Sequence, residues 1–195
     1  MSIVSKTRLS VALKTRWKKK GPRTLEDLAG VVGFNIWRIA QETFRHMEAD
    51  AFRFGSDAQV TSVVTELIAF LVQSTDRLVH GRLSETDRSV FINALALHLA
   101  KTMENNQTDL CGPGDYRTPF IDMLNARASD YADYRYDADG PSYRYLRYLG
   151  ECVADAMAET GNNWVVEHMM ELEAPDMLKY LRKLVDDVLP APTLQ

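Results

Sequence analysis

The chain has 195 residues, 46% hydrophobic and 26% charged, ordinary values for a soluble globular protein with one well-buried core; two small domains are possible but unneeded. Cys111 and Cys152 are too few for a disulfide framework, and no apolar run approaches the roughly 20 residues of a membrane span. The net charge of −4 conceals a split, because residues 1–23 carry eight Lys or Arg and no acid, while the remainder holds 15 basic and 27 acidic side chains, a net of −12.

An acidic body is a poor surface for nucleic acid, so the charge pattern steers attention to the arm at the start. The longest apolar run, Val60 to Val72, is broken by Thr61, Ser62, Thr65 and Glu66, so no transmembrane segment is expected. A reduced, cytoplasmic setting fits two cysteines best. The acid-free, Ser- and Arg-containing start lacks the apolar core of a secretory signal and overlaps in composition with mitochondrial presequences.

Residues 1–23 form a basic N-terminal arm in which Leu9, Leu13 and Trp17 recur at four-residue spacing among Lys14, Arg16 and Lys18 to Lys20. Gly21-Pro22 ends it. Residues 24–195 read as one all-helical globular domain. Thr24 with Asp27 signals a helix start, and Leu25, Leu28, Val32, Ile36, Ile39, Ala40, Phe44 and Met47 form the apolar stripe that follows. Gly30 and Gly33 inside it mark either a close helix crossing or a break.

Ser56 with Gln59 opens a second helix, whose apolar face is the widest in the chain and predicts a central position; Gly81 is its natural stop. On that helix Glu66 shares a stripe with Gln59, Ser62 and Gln73, a pattern that predicts solvent. A third helix runs from Ser84 to Asn105-Asn106, and a fourth starts at Thr118-Pro119, where a missing N–H is harmless. Asp137 to Pro141 is a turn, Ser142 opens the next helix, and Gly161 stops it. A short helix at Trp164 to Leu172 and a final one from Pro175 to Pro190 complete an all-α fold of about seven to nine helices in orthogonal or bundle-like packing, without strands.

Chemical signatures are sparse. Glu42 with His46 and His168 with Glu171 could each share a helix face, but neither has the Glu-x-x-His order of carboxylate-bridged metal bundles, and no metal or other cofactor is expected. The turn at Asp137 fails as a calcium loop, because Arg135 and Leu146 fall where carboxylates are required. Cys111 lies in a Gly/Pro loop with His98 as the one nameable base, and no nucleophile motif accompanies it. His80 suits a helix C-terminus.

One segment departs from average. Seven of the eight tyrosines fall between Tyr116 and Tyr148, and Asp115 to Gly150 holds five arginines and six aspartates without lysine or glutamate. Tyr and Arg dominate interface hot spots, and the balanced charge offers phosphate no net attraction. The expectation is a non-catalytic interaction or adaptor module, self-associating or bound to a protein partner, with Arg127, Tyr131, Tyr134, Arg144, Arg147 and Tyr148 lining the contact surface of a helical hairpin. The plainer alternative is that these residues stitch the hairpin to the core. A second functional reading is a ligand-binding protein or enzyme holding an anionic or tetrapyrrole-like molecule near the same hairpin. A third has the arm tether a regulator to an anionic membrane or nucleic acid.

Overall fold

The computed structural model describes Leu13, residues 23–157 and residues 164–189. Of these, about four-fifths are helical, in six helices rather than seven to nine. The expected basic arm lies outside the described residues, apart from Arg23 and from Leu13, which packs partly buried against the core.

Helix α1 (Leu25–Ala49) starts on the expected capping box, Thr24 Oγ1 accepting from Asp27 N–H while the Asp27 carboxylate accepts from Thr24 N–H. It runs unbroken through both glycines. A Cβ added to Gly33 would lie 2.6 Å from Cδ2 of His98, so this glycine is where α1 crosses α3 (Glu85–Cys111) at close quarters. Helix α2 (Asp57–Val79) is capped by Ser56, but Gln59 reaches one residue further back than a capping box requires and accepts from Gly55 N–H. Gly81, at φ +79°, turns the chain away at its end.

Helix α3 overruns the expected stop at Asn105-Asn106. Thr102 and Asn106 hydrogen-bond back to the carbonyls of His98 and Thr102, so these polar side chains stay with their own helix instead of breaking it. Gln107 donates to Thr61 Oγ1 on α2, and the helix ends only where Gly112 adopts φ +86°.

Helix α4 (Arg117–Ala132) is followed by a two-stranded antiparallel ribbon, β1 (Tyr136–Asp137) and β2 (Gly140–Pro141), around the predicted turn. The expectation of no strand is therefore corrected. Asp137 Oδ1 accepts from Asp139 N–H, and Gly140 at φ +115° closes a turn that a side chain would strain. Helix α5 (Tyr143–Ala156), capped by Ser142, runs back along α2.

The last two expected helices are one. Helix α6 consists of an α turn Val165–His168, a π turn Met169–Glu173 and an α stretch Ala174–Val188. Pro175 brings no N–H, and its ring crowds the carbonyl four residues back; a widened turn absorbs both effects without breaking the helix.

Helix α2 contacts each of the other five. Its Leu67, Ile68, Phe70 and Leu71 are fully buried among Ile36 and Ile39 of α1, Phe91 and Leu95 of α3, Tyr145 and Leu149 of α5, and Leu181 and Val185 of α6. No helix among the described residues is long and apolar enough to cross a membrane.

Candidate functional site

The helical hairpin α4–ribbon–α5 carries the Tyr/Arg/Asp segment. Arg127 on α4 makes a bidentate pair with Glu66 on α2, donating from Nε to Oε2 at 2.7 Å and from Nη2 to Oε1 at 2.6 Å. Its third nitrogen, Nη1, donates to Tyr148 Oη at 3.0 Å and to Asp130 Oδ2 at 3.2 Å. The Tyr148 hydroxyl in turn donates to the Asp130 carboxylate. Glu66 is thus covered by α4, its side chain only 12% exposed, and the expectation that it faces water is overturned. A polar stripe on one helix was matched by a guanidinium from another, 61 residues away.

Beneath this pair the rings interlock. Tyr131 stands 4.6 Å from Tyr145 and edge-on to Tyr148 at 5.0 Å, while Tyr136 meets Tyr145 edge-on at 5.2 Å. Ser74 hydrogen-bonds the Tyr145 hydroxyl, and Arg77 donates to the Tyr131 carbonyl. Burial pushes the hydroxyls of Tyr131, Tyr145 and Tyr148 well above the ordinary tyrosine range and the Cys152 thiol up to about 11, so none is an anion near neutrality. The Glu66 hydrogen bonds, against the opposing cost of burial, fix Arg127 as a cation.

The six predicted contact residues fall in two layers. Arg127, Tyr131, Tyr134 and Tyr148 belong to the inner one, with Tyr131 only 2% exposed. Arg144 and Arg147 stand on the outer face of α5 beside Tyr143, which is 64% exposed. Arg147 donates to Glu151 and reaches the Tyr143 hydroxyl at 3.4 Å, whereas Arg144 makes no ion pair among the described residues.

Near the ribbon, Arg77, His80, Arg82, Tyr136, Asp137, Arg182 and Asp186 surround a polar cleft of about 460 Å³. Arg82 pairs with Asp186 at 2.6 Å, and Arg182 packs against Gly140 at the ribbon's tight turn. The guanidinium of Arg182 lies beside the Tyr136 hydroxyl, which nevertheless has no well-formed hydrogen bond.

A third cluster joins the two histidines, but through other acids than expected. Glu42 pairs with Arg45, and Glu171 is exposed. Instead His46 Nδ1 lies 2.5 Å and His168 Nε2 2.9 Å from Glu173 Oε1, with Asp50 Oδ2 3.7 Å from His168 Nε2. In a regular α-helix residues five apart point about 140° away from each other. The π turn removes that offset and sets Glu173 against His168. Glu173 is hidden from the sequence for this reason, and Asp50 because it meets His168 only across the fold; Pro175, the one local signal, reads as a helix start.

Cys111 is exposed at the end of α3, and His98, thirteen residues back on the same helix, is packed against Gly30 and Gly33 of α1 rather than turned toward it. No family model, curated protein or solved structure matches this chain.

Proposed function

We propose that this chain is a non-catalytic helical interaction module that self-associates through the outer face of α5. The observation that carries the proposal is a two-layer construction. Tyr143, Arg144 and Arg147 stand exposed on a helix whose inner face is locked by the Tyr131–Tyr145–Tyr148 cluster and the Arg127–Glu66 pair. A patch carried on a locked helix loses little backbone entropy on contact, and Tyr and Arg are the residue types enriched in hot spots. A second copy offers charge complementarity, because everything beyond residue 23 sums to −12 and Arg144 carries no partner ion among the described residues.

The double variant Arg144→Ala/Arg147→Ala tests this. Native mass spectrometry and light scattering should show the wild type as a dimer or higher species and the variant shifted at least tenfold toward monomer, with an unchanged melting temperature. A wild type that stays monomeric at high micromolar concentration, or a variant that assembles as well as the wild type, rules it out.

The cleft beside the ribbon favours a second reading, in which the same hairpin holds a small anion. Arg77, Arg82 and Arg182 converge there with His80 against two acids, and the largely polar lining suits a carboxylate or phosphate better than a flat apolar macrocycle. Inorganic pyrophosphate should then raise the melting temperature of the wild type and leave an Arg182→Ala variant unmoved.

A further inference from the structure

The cluster formed by His46, Asp50, His168 and Glu173 is built more completely than a proton-sharing network requires. Glu173 is 0% exposed, and both imidazoles converge on its Oε1, while Oε2 has no hydrogen-bond partner. A buried carboxylate oxygen with neither lone pair engaged is costly, and native interiors rarely tolerate one without an ion or water. From this geometry we infer a divalent-cation site in which Glu173 and His46 are central ligands and Asp50 and His168 complete the set.

Ligand atoms bound at about 2.0–2.2 Å to a common ion lie no more than about 4.4 Å apart. One ligand atom each of His46, Asp50 and Glu173 already fall within 4.8 Å of one another, and His168 Nε2 lies 3.7 Å from Asp50 Oδ2. The two imidazole nitrogens, 2.5 and 2.9 Å from Glu173 Oε1, would swing outward by under about 1 Å to reach the roughly 3.3–3.6 Å that separates ligands of one tetrahedral ion. The ion would stand where the imidazoles and the carboxylate now share protons. Two imidazole nitrogens and two carboxylates suit a borderline first-row cation such as Zn²⁺; calcium and magnesium prefer an all-oxygen shell, and soft copper(I) prefers sulfur.

The surroundings have the features of a metal pocket. Phe52 and Trp164 wall off His168, with ring centroids 4.7 and 5.1 Å from its imidazole. Asp50, 32% exposed, leaves one side open to solvent, so an ion has a route in. Two backbone irregularities, each unusual for its residue type, flank the four side chains. Ala51 follows Asp50 at φ +68°, and the π turn lies between His168 and Glu173.

The test uses full-length protein stripped with a chelator, kept reduced, and titrated with Zn²⁺ by calorimetry and with Co²⁺ by absorption. We expect one ion per chain, a micromolar or tighter Kd, and visible cobalt bands of nitrogen and oxygen ligation without a thiolate charge-transfer band. Glu173→Gln and Asp50→Ala should each weaken Zn²⁺ binding by at least about 100-fold, beyond the roughly 10–100-fold typical of losing an outer partner. Cys111→Ser should leave it unchanged. If Glu173→Gln does not fold by circular dichroism, Asp50→Ala decides, since its carboxylate is partly exposed and caps no backbone group. Absence of saturable binding by the wild type, binding that survives Asp50→Ala, or binding lost in Cys111→Ser overturns the inference.

Discussion

Arg127 turns all three guanidinium nitrogens inward, to Glu66, Tyr148 and Asp130, and it is the side chain on which the hairpin hangs. Replacing it with Met leaves Glu66 nearly buried without a counter-ion. Chemical denaturation should register a loss of about 2–3 kcal/mol, somewhat below the range for a fully buried pair. The double variant Glu66→Leu/Arg127→Met should recover at least half of that loss, so the mutant cycle shows strong coupling. A second residue-scale prediction concerns His98, whose pKa burial lowers below 6.5. The unfolded chain takes up this proton near pH 6.5 while the folded chain resists it. Stability should therefore fall as pH drops below about 6.5 and level off once the folded imidazole is protonated, with no contribution from this group above that range. The slope should flatten in His98→Asn, and a histidine NMR titration reads the depressed value directly. At this scale the sequence was a partial guide. It singled out Arg127 by its company, yet Glu66 looked solvated, because a helical stripe tells which residues share a face and not which neighbour covers it.

Helix boundaries were more legible than partners because capping is local. Thr24, Ser56, Ser84 and Ser142 each accept from the backbone N–H three residues on, as their spacing predicts. Boundaries set by tertiary context were not legible: α3 continues past its asparagines under the Gln107–Thr61 tie to α2, and α6 continues past Pro175 through a wide turn. The alternatives left by Gly30 and Gly33 are resolved in favour of a close crossing. Gly33→Ala should cost about 1–3 kcal/mol, since His98 and Leu95 must both give way. At the other end of α1, Ala51 adopts a left-handed conformation that costs an L-residue about 1–2 kcal/mol. Ala51→Gly should raise the denaturation midpoint by relieving part of that cost, offset by the extra freedom glycine gains when unfolded.

Across the whole molecule, the arrangement follows from one helix that is buried on every side through Leu67–Val72. With α2 touching all the others, a cavity in it is felt everywhere: Leu67→Ala should destabilise by about 2–5 kcal/mol in a single cooperative transition followed by both fluorescence and circular dichroism. The Tyr/Arg hairpin covers one flank of α2, and the His/Glu cluster lies where α1 ends against α6, whose π turn also packs on α5. The first was visible in composition because its residues are neighbours in the chain. The second was not, because His46 and Glu173 are 127 positions apart and meet only through the fold.

The π turn in α6 amounts to one surplus residue in an otherwise α-helical rod. Genetically, that surplus is a single codon. Deleting the exposed Glu171 together with Pro175→Ala would let the rod wind regularly while Ala174–Val188 keeps its buried face on α1 and α2. Such a shortened protein should fold, and its remaining histidine and glutamate, then four positions apart, would still share one face of the helix. A change of length, with no substitution at any of the four polar side chains, would thus leave both fold and cluster standing, and the wide turn would be owed to Pro175 alone.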